Sequence, residues 1–319
     1  MQDSTRTEKS KLSARSLDDR WKAFLFLLPT LVAVAVFVYG FIGWTGYVSL
    51  TGWNSLVPDF SWVGLQNYVA LFQDFRFQSD LRNTVVFTLL FIVACLSIGL
   101  ALAVLLDQRI RGETFFRNLF IFPMALSFIV TGVVWQWIFN PSTGINLWLD
   151  RLGWTDLPVW YVDTRIIPGW EWGAIQVGIP IALIAVVVAA VWQLSGFTMA
   201  MYLAGLRGIP DTLREAARVD GAGEWQIWRR VILPQLHPIT WSVVIILGHI
   251  SLKIFDLVVA MTGPGANFVT DVPGVFMFET TFRGNHYAQG ASIAVIMLVL
   301  VSILIVPYLV SQMRREERG

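Results

Sequence analysis

Apolar and polar residues follow one another along this chain in long blocks. Six of the apolar blocks are as long as a helix that crosses a lipid bilayer, which needs about 20 residues. They run roughly over residues 23–44, 83–106, 116–139, 176–204, 239–261 and 288–310. The first is longer than the core of a signal peptide and lacks an A-x-A cleavage pattern, so we expect it to be retained as a transmembrane helix. The pattern predicts an all-α bundle of six transmembrane helices.

The composition agrees with a polytopic membrane protein. Of the 319 residues, 55% are hydrophobic and 14% are charged, and the mean hydropathy is +0.62. A soluble protein has about 25% charged residues. The single cysteine, Cys95, lies inside an apolar block, so no disulfide can form within the chain. We expect Cys95 to act as a small apolar filler.

Lysine and arginine are concentrated on one side of the predicted bundle. Seventeen of the 23 lie in the two termini and in the 107–117 and 205–238 loops, and five lie in the other loops, at Arg76, Arg82, Arg151, Arg165 and Arg283. The positive-inside rule therefore places both termini and the 205–238 loop in the cytoplasm. We predict a cytoplasmic tail over 1–22, a membrane domain over 23–310 that contains the loop, and a cytoplasmic tail over 311–319.

The opposite side of the bundle is rich in tryptophan. Its loops contain Trp44, Trp53, Trp62, Trp148, Trp154, Trp160, Trp170 and Trp172. Such residues are typical of an aromatic belt at a membrane interface. The alternative is that some of them form a stacking surface for a sugar or a docking surface for an external binding protein.

The 205–238 loop is polar and basic, although it lies between two apolar blocks. Thr212 precedes Glu215 with the spacing of a capping box, which predicts that a helix starts at about Thr212. Gly221 and Gly223 would end this helix, because glycine adopts the left-handed conformation of a helix C-terminus at little cost. The loop therefore contains one short amphipathic helix that ends in a tight turn.

A second short helix is predicted directly after this turn, over about 224–233. Trp225 and Trp228 lie on its apolar stripe, so we expect them to hold the loop against the bundle. Pro234 and Pro238 would stop the helix, because proline lacks the backbone N–H that a helix interior needs.

The same loop carries a motif of fixed order. It contains Glu215-Ala216-Ala217, then Asp220-Gly221-Ala222, then Leu233-Pro234. This order resembles the EAA loop of the permease subunits of bacterial ABC importers, with Val231 in place of that family's isoleucine. The resemblance implies a coupling helix that docks into a groove of an ATPase subunit, with Glu215 and Asp220 as polar contacts. The alternative is an ordinary amphipathic helix pair at the membrane surface.

Other segments resemble the carbohydrate-uptake permeases of this group, the maltose- and glycerol-phosphate-type subunits. They are Asn83-Thr84, Phe122-Pro123, Phe255-Asp256-Leu257, Met261-Thr262-Gly263-Pro264-Gly265 and Phe278-Glu279-Thr280-Thr281-Phe282. The chain departs from the group at Gly263-Pro264-Gly265, where two glycines more often precede the proline. The resemblance implies the type I importer permease fold and a sugar or sugar-like solute.

The resemblance also implies the partners of the chain. They are a second, different permease subunit, two ATPase subunits that bind ATP and Mg, and an extracytoplasmic solute-binding protein. We expect the chain itself to contact membrane lipid, to bind no cofactor or metal and no nucleic acid, and to have no catalytic residues. His237, His249 and His286 match no metal-ligand spacing. No glycine is followed by lysine, so the usual phosphate-binding loop is missing from the sequence.

Polar residues inside the apolar blocks are candidates for a substrate path. Lys253 and Asp256 are the charged ones, and a charge within a bilayer is a functional hypothesis by default. As residues three apart on a helix, they could equally neutralise each other on one face. Gln136, Asn140 and Gln193 are further candidates, although hydrogen bonds between helices explain such residues as well.

These observations favour one function class over two others. The favoured class is the membrane-spanning permease subunit of a binding-protein-dependent ABC importer in the cytoplasmic membrane. A stand-alone secondary transporter of a small polar solute is the alternative, and it would show inverted repeats with broken helices in corresponding halves. An intramembrane enzyme would need paired acid–base or metal-binding residues at one depth, and the sequence shows none.

Overall fold

The structure is a computed structural model that describes residues 21–22, 24–108 and 110–316. The predicted tail over 1–22 lies outside the described residues except for its last two. In chain order the helices and strands are α1 (Phe24–Val48), α2 (Gln66–Gln73), α3 (Phe75–Asp107), α4 (Glu113–Ile121), α5 (Phe128–Ile138), α6 (Asn146–Arg151), β1 (Ile166–Trp172), β2 (Ile175–Pro180), α7 (Ile181–Gly208), α8 (Asp211–Val219), α9 (Glu224–Leu252), α10 (Asp256–Met261), α11 (Pro273–Phe278) and α12 (Tyr287–Glu316).

The prediction of an all-α membrane bundle is confirmed. Among the described residues, α1, α3, α7, α9 and α12 each contain a stretch long and apolar enough to cross a membrane. The count rises to six if α4 and α5 together form one span, although they meet at an angle of 101°. In α7, 67% of the most apolar stretch is buried, against none in α1, so α7 is the central helix and α1 the peripheral one.

The third predicted helix is broken between α4 and α5. A 3₁₀ turn over Phe122–Ala125 contains Pro123, and the next residue, Leu126, is extended. Ser127 then starts α5 by accepting a hydrogen bond from the Val130 N–H at 3.3 Å. Proline removes a helical N–H, and a bent backbone in a bilayer needs protein partners for its freed polar groups.

Helix α7 supplies these partners at the break. The Gln193 side-chain Nε2 donates to the Leu126 carbonyl at 2.7 Å. A Cβ at Gly196 would collide with the Phe120 carbonyl, so glycine permits the close approach of α7 to α4. The bend is therefore held from the side by the central helix.

A two-stranded antiparallel hairpin precedes α7, and the sequence did not predict it. The block predicted as helical over 176–204 begins with β2, which pairs with β1. The two strands are joined by a two-residue loop that Gly173 begins with φ +63°, as in hairpin turns with a primed geometry. No charged residue separates β2 from the apolar part of α7, so composition alone could not separate the two structures.

Helix α9 does not stop at Pro234 or Pro238, and the predicted short helix over 224–233 is only its first part. It runs unbroken from Glu224 to Leu252. A π-helical segment over Trp228–Ile232 precedes Pro234, and this wider turn accommodates the missing N–H. In the following turns the Ser242 hydroxyl donates to the Pro238 carbonyl at 3.1 Å.

Candidate functional site

The Glu215 loop, residues 209–223, joins α7 to α9 and contains α8. Helix α8 begins at Asp211, after Pro210, whose extended backbone starts the turn. The predicted capping box at Thr212 is wrong, because no side chain caps this helix and Thr212 already lies within it. Proline sets the entry conformation in place of a side-chain cap, and the acidic Asp211 lies in the first turn, where the helix dipole favours it.

The predicted turn at Gly221 is confirmed. Gly221 has φ +81°, which is the left-handed region. The Ala222 N–H donates to the Ala217 carbonyl and the Gly221 N–H to the Arg218 carbonyl, both at 3.0 Å. These two bonds form a Schellman motif. Glycine is favoured at the left-handed position of this motif, because it has no Cβ that would clash with the backbone.

Gly223 is the residue that precedes the next helix, α9, and its N–H is bound there. It donates to the Gln226 side-chain Oε1 at 3.2 Å, at the start of α9. The chain therefore passes from α8 to α9 within four residues that hydrogen bonds fix at both ends. Such a connection can move only together with the helices that it joins.

One face of the Glu215 loop packs on the bundle. Ala217 and Ala222 are half-buried against a cluster of buried apolar side chains. This cluster is formed by Ala103, Leu106, Met199, Tyr202, Leu203, Leu206, Ile209, Ile227, Ile232 and Leu236. Apart from Ile209, which belongs to the loop itself, these residues come from α3, α7 and α9, so the loop rests on the ends of three spanning helices at once.

The other face of the loop is exposed and partly apolar. Glu215, Ala216 and Asp220 are exposed, and Val219 has 87% of its surface accessible. Trp225, at the start of α9, is 74% exposed. The expectation that Trp225 holds the loop against the bundle is therefore wrong; Ile227 takes that place, and Trp228 is half-buried beside it. Leu233 and Pro234 are also exposed, on α9.

Among the residues that the structure describes, two ion pairs between partners distant in the chain join the helices around this loop. Arg214 on α8 lies 3.4 Å from the Asp107 carboxylate at the end of α3. Arg207, at the end of α7, lies 2.7 Å from Glu113 at the start of α4. A cavity of about 580 Å³ opens between these pairs and is lined by all four side chains and by Asp211.

A second charged region, the Arg76 cluster, lies at the opposite end of α3. It consists of Arg76, Asp80, Asp271 and Glu279. Arg76 lies 2.6 Å from both Asp271 and Glu279, and its guanidinium stacks over the rings of two phenylalanines, Phe268 and Phe276. No local pattern in the sequence indicates this cluster, because Asp271 and Glu279 lie 195 and 203 positions from Arg76.

Burial governs the electrostatics of the Arg76 cluster. The side chain of Asp271 is fully buried, and burial raises its pKa, although the Arg76 hydrogen bond opposes that shift. Asp80 is also fully buried, and neither of its carboxyl oxygens has a hydrogen-bond partner within the described part of the chain. Nearby, the Asn83 side chain donates to the Asp271 carbonyl at 2.9 Å, which fixes the segment that carries Asp271.

Of the two alternatives for Lys253 and Asp256, mutual neutralisation on one helix face is wrong. Helix α9 ends at Leu252, and α10 begins at Asp256, so the helical spacing does not continue between the two residues. Both side chains are exposed, and the structure shows no ion pair between them. Their position on a substrate path stays a prediction.

The uncharged candidates for a substrate path have different surroundings. Gln193 is buried and bonds the bend of the broken helix, as described above. The Asn140 side chain accepts hydrogen bonds from the N–H groups of Ser142 and Thr143, at 2.9 and 3.1 Å, and so shapes the turn after α5. Gln136 is half-buried on α5. These contacts explain Gln193 and Asn140 structurally, and a role in transport for all three stays a prediction.

A multi-pass helical bundle with a two-faced loop at one end defines a polytopic membrane protein. Comparison with known families gives the particular class. Residues 96–315 match the family described as binding-protein-dependent transport system inner membrane component, and this chain belongs to that family. It is therefore a permease subunit of an ABC importer and a multi-pass protein of the inner membrane.

Individual relatives agree with this assignment. The chain is 38% identical over 296 residues to a probable ABC transporter permease protein of Pyrococcus horikoshii, which covers 92% of this chain and 96% of the relative. It is 36% identical over 291 residues to a xylose/arabinose import permease protein of Haloferax volcanii, and the match covers 89% of this chain and 86% of the relative.

Solved structures show the same fold. A chain of a bacterial ABC transporter involved in the import of the acidic polysaccharide alginate superposes with a TM-score of 0.76, covering 93% of this chain and 97% of that chain. The identity is 20%, so this likeness concerns the fold alone. The resemblance noted in the sequence is thereby confirmed for the family and for the fold.

Proposed function

We propose that this chain carries a sugar or sugar-like solute inward, driven by ATP hydrolysis on a separate subunit. Support for the solute comes from relatives that are named for xylose and arabinose, for multiple sugars, and for trehalose and maltose. The observation that carries the mechanism is the Glu215 loop, whose inner face rests on three helix ends while its outer face is free for a partner.

The geometry supports a mechanical role for this loop. A partner that moves α8 would also move α9, because the turn at Gly221 is fixed by hydrogen bonds at both ends. It would move α3 and α7 as well, because close-packed side chains transmit displacement rather than absorb it. The bundle would then tilt as a body and open its path to alternate sides, while ATP and Mg stay on the ATPase subunit.

The exposed face offers specific contacts to an ATPase groove. Val219 supplies exposed apolar surface on α8, and Glu215 and Asp220 supply charge beside it. Interfaces commonly combine a central apolar anchor with a polar rim. We assign the ATPase contact to this face and the turn to Gly221. Ala217 and Ala222 then support the loop from below, and Ala216, Leu233 and Pro234 complete the exposed part of the motif.

The remaining partners follow from the two ends of the bundle. We place the Glu215 loop and both termini in the cytoplasm, which agrees with the distribution of Lys and Arg. The hairpin then faces outward, where an extracytoplasmic solute-binding protein would deliver the solute. Two ATPase subunits and a second, different permease would complete the assembly.

The test is to purify the assembly in lipid nanodiscs and to measure ATP hydrolysis with and without binding protein and sugars. We expect hydrolysis to rise only when a cognate sugar and the binding protein are both present. The matched control is the same assembly with sugar alone. Hydrolysis that responds to no sugar, while an amino acid or another solute stimulates it, would contradict the proposed substrate class. An assembly that contains no ATPase would contradict the importer assignment.

A further inference from the structure

Asp107 occupies an unusual place for an acidic residue. It is the last residue of α3, and the C-terminal end of a helix carries partial negative charge, which disfavours a carboxylate there. The other ion pair at this end of the bundle needs no such explanation. Arg207 lies at a helix C-terminus and Glu113 at a helix N-terminus, so each is favoured by its own helix.

The partner that compensates Asp107 is Arg214, in the middle of α8. The two side chains are mostly buried, with 18% and 22% of their surfaces exposed. The pair joins residues 107 positions apart and connects the Glu215 loop to a different spanning helix. By contrast, Arg218 of α8 pairs with Glu224 only six positions away, and both of those side chains are mainly exposed.

Helix α3 reaches from this pair to the Arg76 cluster. It has 33 residues, so its two ends are about 50 Å apart. Arg76 lies at its first turn and binds Asp271 and Glu279. The helix is therefore held by charged contacts to separate segments at both ends, to α8 at one and to the 271–279 region at the other.

We propose that Asp107 and Arg214 are positioning residues through which a displacement of α8 is passed to α3. The pair would make α3 follow the Glu215 loop when the ATPase moves it, and the far end of α3 would then shift the Arg76 cluster. This inference rests on the proposed function, because it assumes that an ATPase acts on the loop.

The experiment uses the complete assembly and a charge exchange. Asp107→Lys and Arg214→Glu are made separately and together, and each assembly is tested for bound ATPase and for sugar transported per ATP hydrolysed. We expect each single variant to keep its ATPase and to lose about fivefold or more in transport per ATP, the lower end of allosteric coupling. The double variant should recover most of the loss, because it restores an ion pair of reversed orientation.

Arg207→Gln is the matched control, since it removes the neighbouring ion pair, which does not involve α8. Its transport per ATP should stay within about twofold of the parent, because a partly exposed ion pair contributes little free energy. The proposal is overturned if the single variants transport like the parent, if the double variant recovers nothing, or if the single variants release the ATPase. A parent assembly whose ATPase does not respond to sugar would instead refute the proposed function, and this is measured before any variant.

Discussion

The two ends of α3 carry charged contacts of opposite character. In the Arg76 cluster the carboxylate of Asp271 is fully removed from solvent, and one guanidinium binds two acidic side chains. In the ion pairs around the Glu215 loop no carboxylate is fully removed from solvent, and the acidic residues of the exposed face, Glu215 and Asp220, are exposed. The charges of the Arg76 cluster bind within the chain, whereas the other end also leaves Glu215 and Asp220 available to a partner.

This difference predicts which residues determine the stability of the fold and which serve its function. Breaking a buried ion pair leaves an uncompensated charge and costs about 3–5 kcal/mol, whereas an exposed pair contributes about 0.2–1 kcal/mol. Changes in the Arg76 cluster should therefore act on folding. Changes on the exposed face of the Glu215 loop should act on partner binding or coupling and leave the fold intact.

The largest effect is expected for Arg76→Met. It would leave Asp271 buried beside Asp80 without a cation, so we expect a loss of about 3–5 kcal/mol in the free energy of unfolding. The measurement is thermal or denaturant unfolding in detergent. Arg283→Gln is the control on the same acidic partner, because Arg283 binds Glu279 at 3.1 Å from an exposed position and should cost less than about 1 kcal/mol. Equal losses in both variants would mean that burial does not determine what an ion pair of this cluster contributes to stability.

The next effect is expected for Gly221→Val, which should abolish transport without unfolding the bundle. A side chain in the left-handed region costs about 1–2 kcal/mol, and the turn can relieve this strain only by shifting α8 relative to α9. Gly223→Ala is the matched control, because Gly223 has φ −72° and a Cβ added at either glycine would meet no atom within 4 Å. Transport and melting temperature are measured for both. A Gly221→Val protein that transports like Gly223→Ala would contradict the coupling role of the turn.

A smaller effect is expected for Glu215→Lys, confined to partner binding. Reversing a charge at a docking face penalises the contact, and we expect the ATPase to bind about tenfold more weakly. Gln235→Lys places a lysine at an exposed position on α9, outside the motif, and should bind normally. The assay is pull-down of the ATPase over a concentration series. Unchanged binding by Glu215→Lys would indicate that the loop is only an anchor at the membrane surface.

The sequence predicted those features that depend on local pattern. The length of the apolar blocks predicted the spanning helices, and Gly221 predicted the turn, because both features follow from residues adjacent in the chain. Pattern failed where distant segments decide the structure. Pro234 and Pro238 were expected to stop a helix, but a π-helical segment keeps it continuous. Helical spacing allowed Lys253 and Asp256 to pair, but the end of α9 interrupts that spacing.

Long-range contacts were the least accessible to prediction. Arg76 binds acidic residues 195 and 203 positions away, and no local pattern indicates such partners. Asp107 carried a signal, since an acidic residue at the end of a helix is locally unfavourable and suggests a compensating cation elsewhere. The break between α4 and α5 also carried one in Pro123, but the side chain that stabilises the break, Gln193, comes from another helix.

The smallest perturbation tests the orientation on which the whole comparison depends. Single cysteines at Asp150 and Gly223 are introduced with Cys95 replaced by alanine, and both positions are exposed, so the fold should tolerate them. With the Glu215 loop in the cytoplasm, a membrane-impermeant thiol reagent should label position 150 in intact cells and position 223 only after permeabilisation. Labelling of both positions under strong permeabilisation serves as the control for accessibility. The reverse pattern would place the Glu215 loop outside, where no ATPase can reach it, and the exposed charges at that end of α3 would then have to serve a different partner.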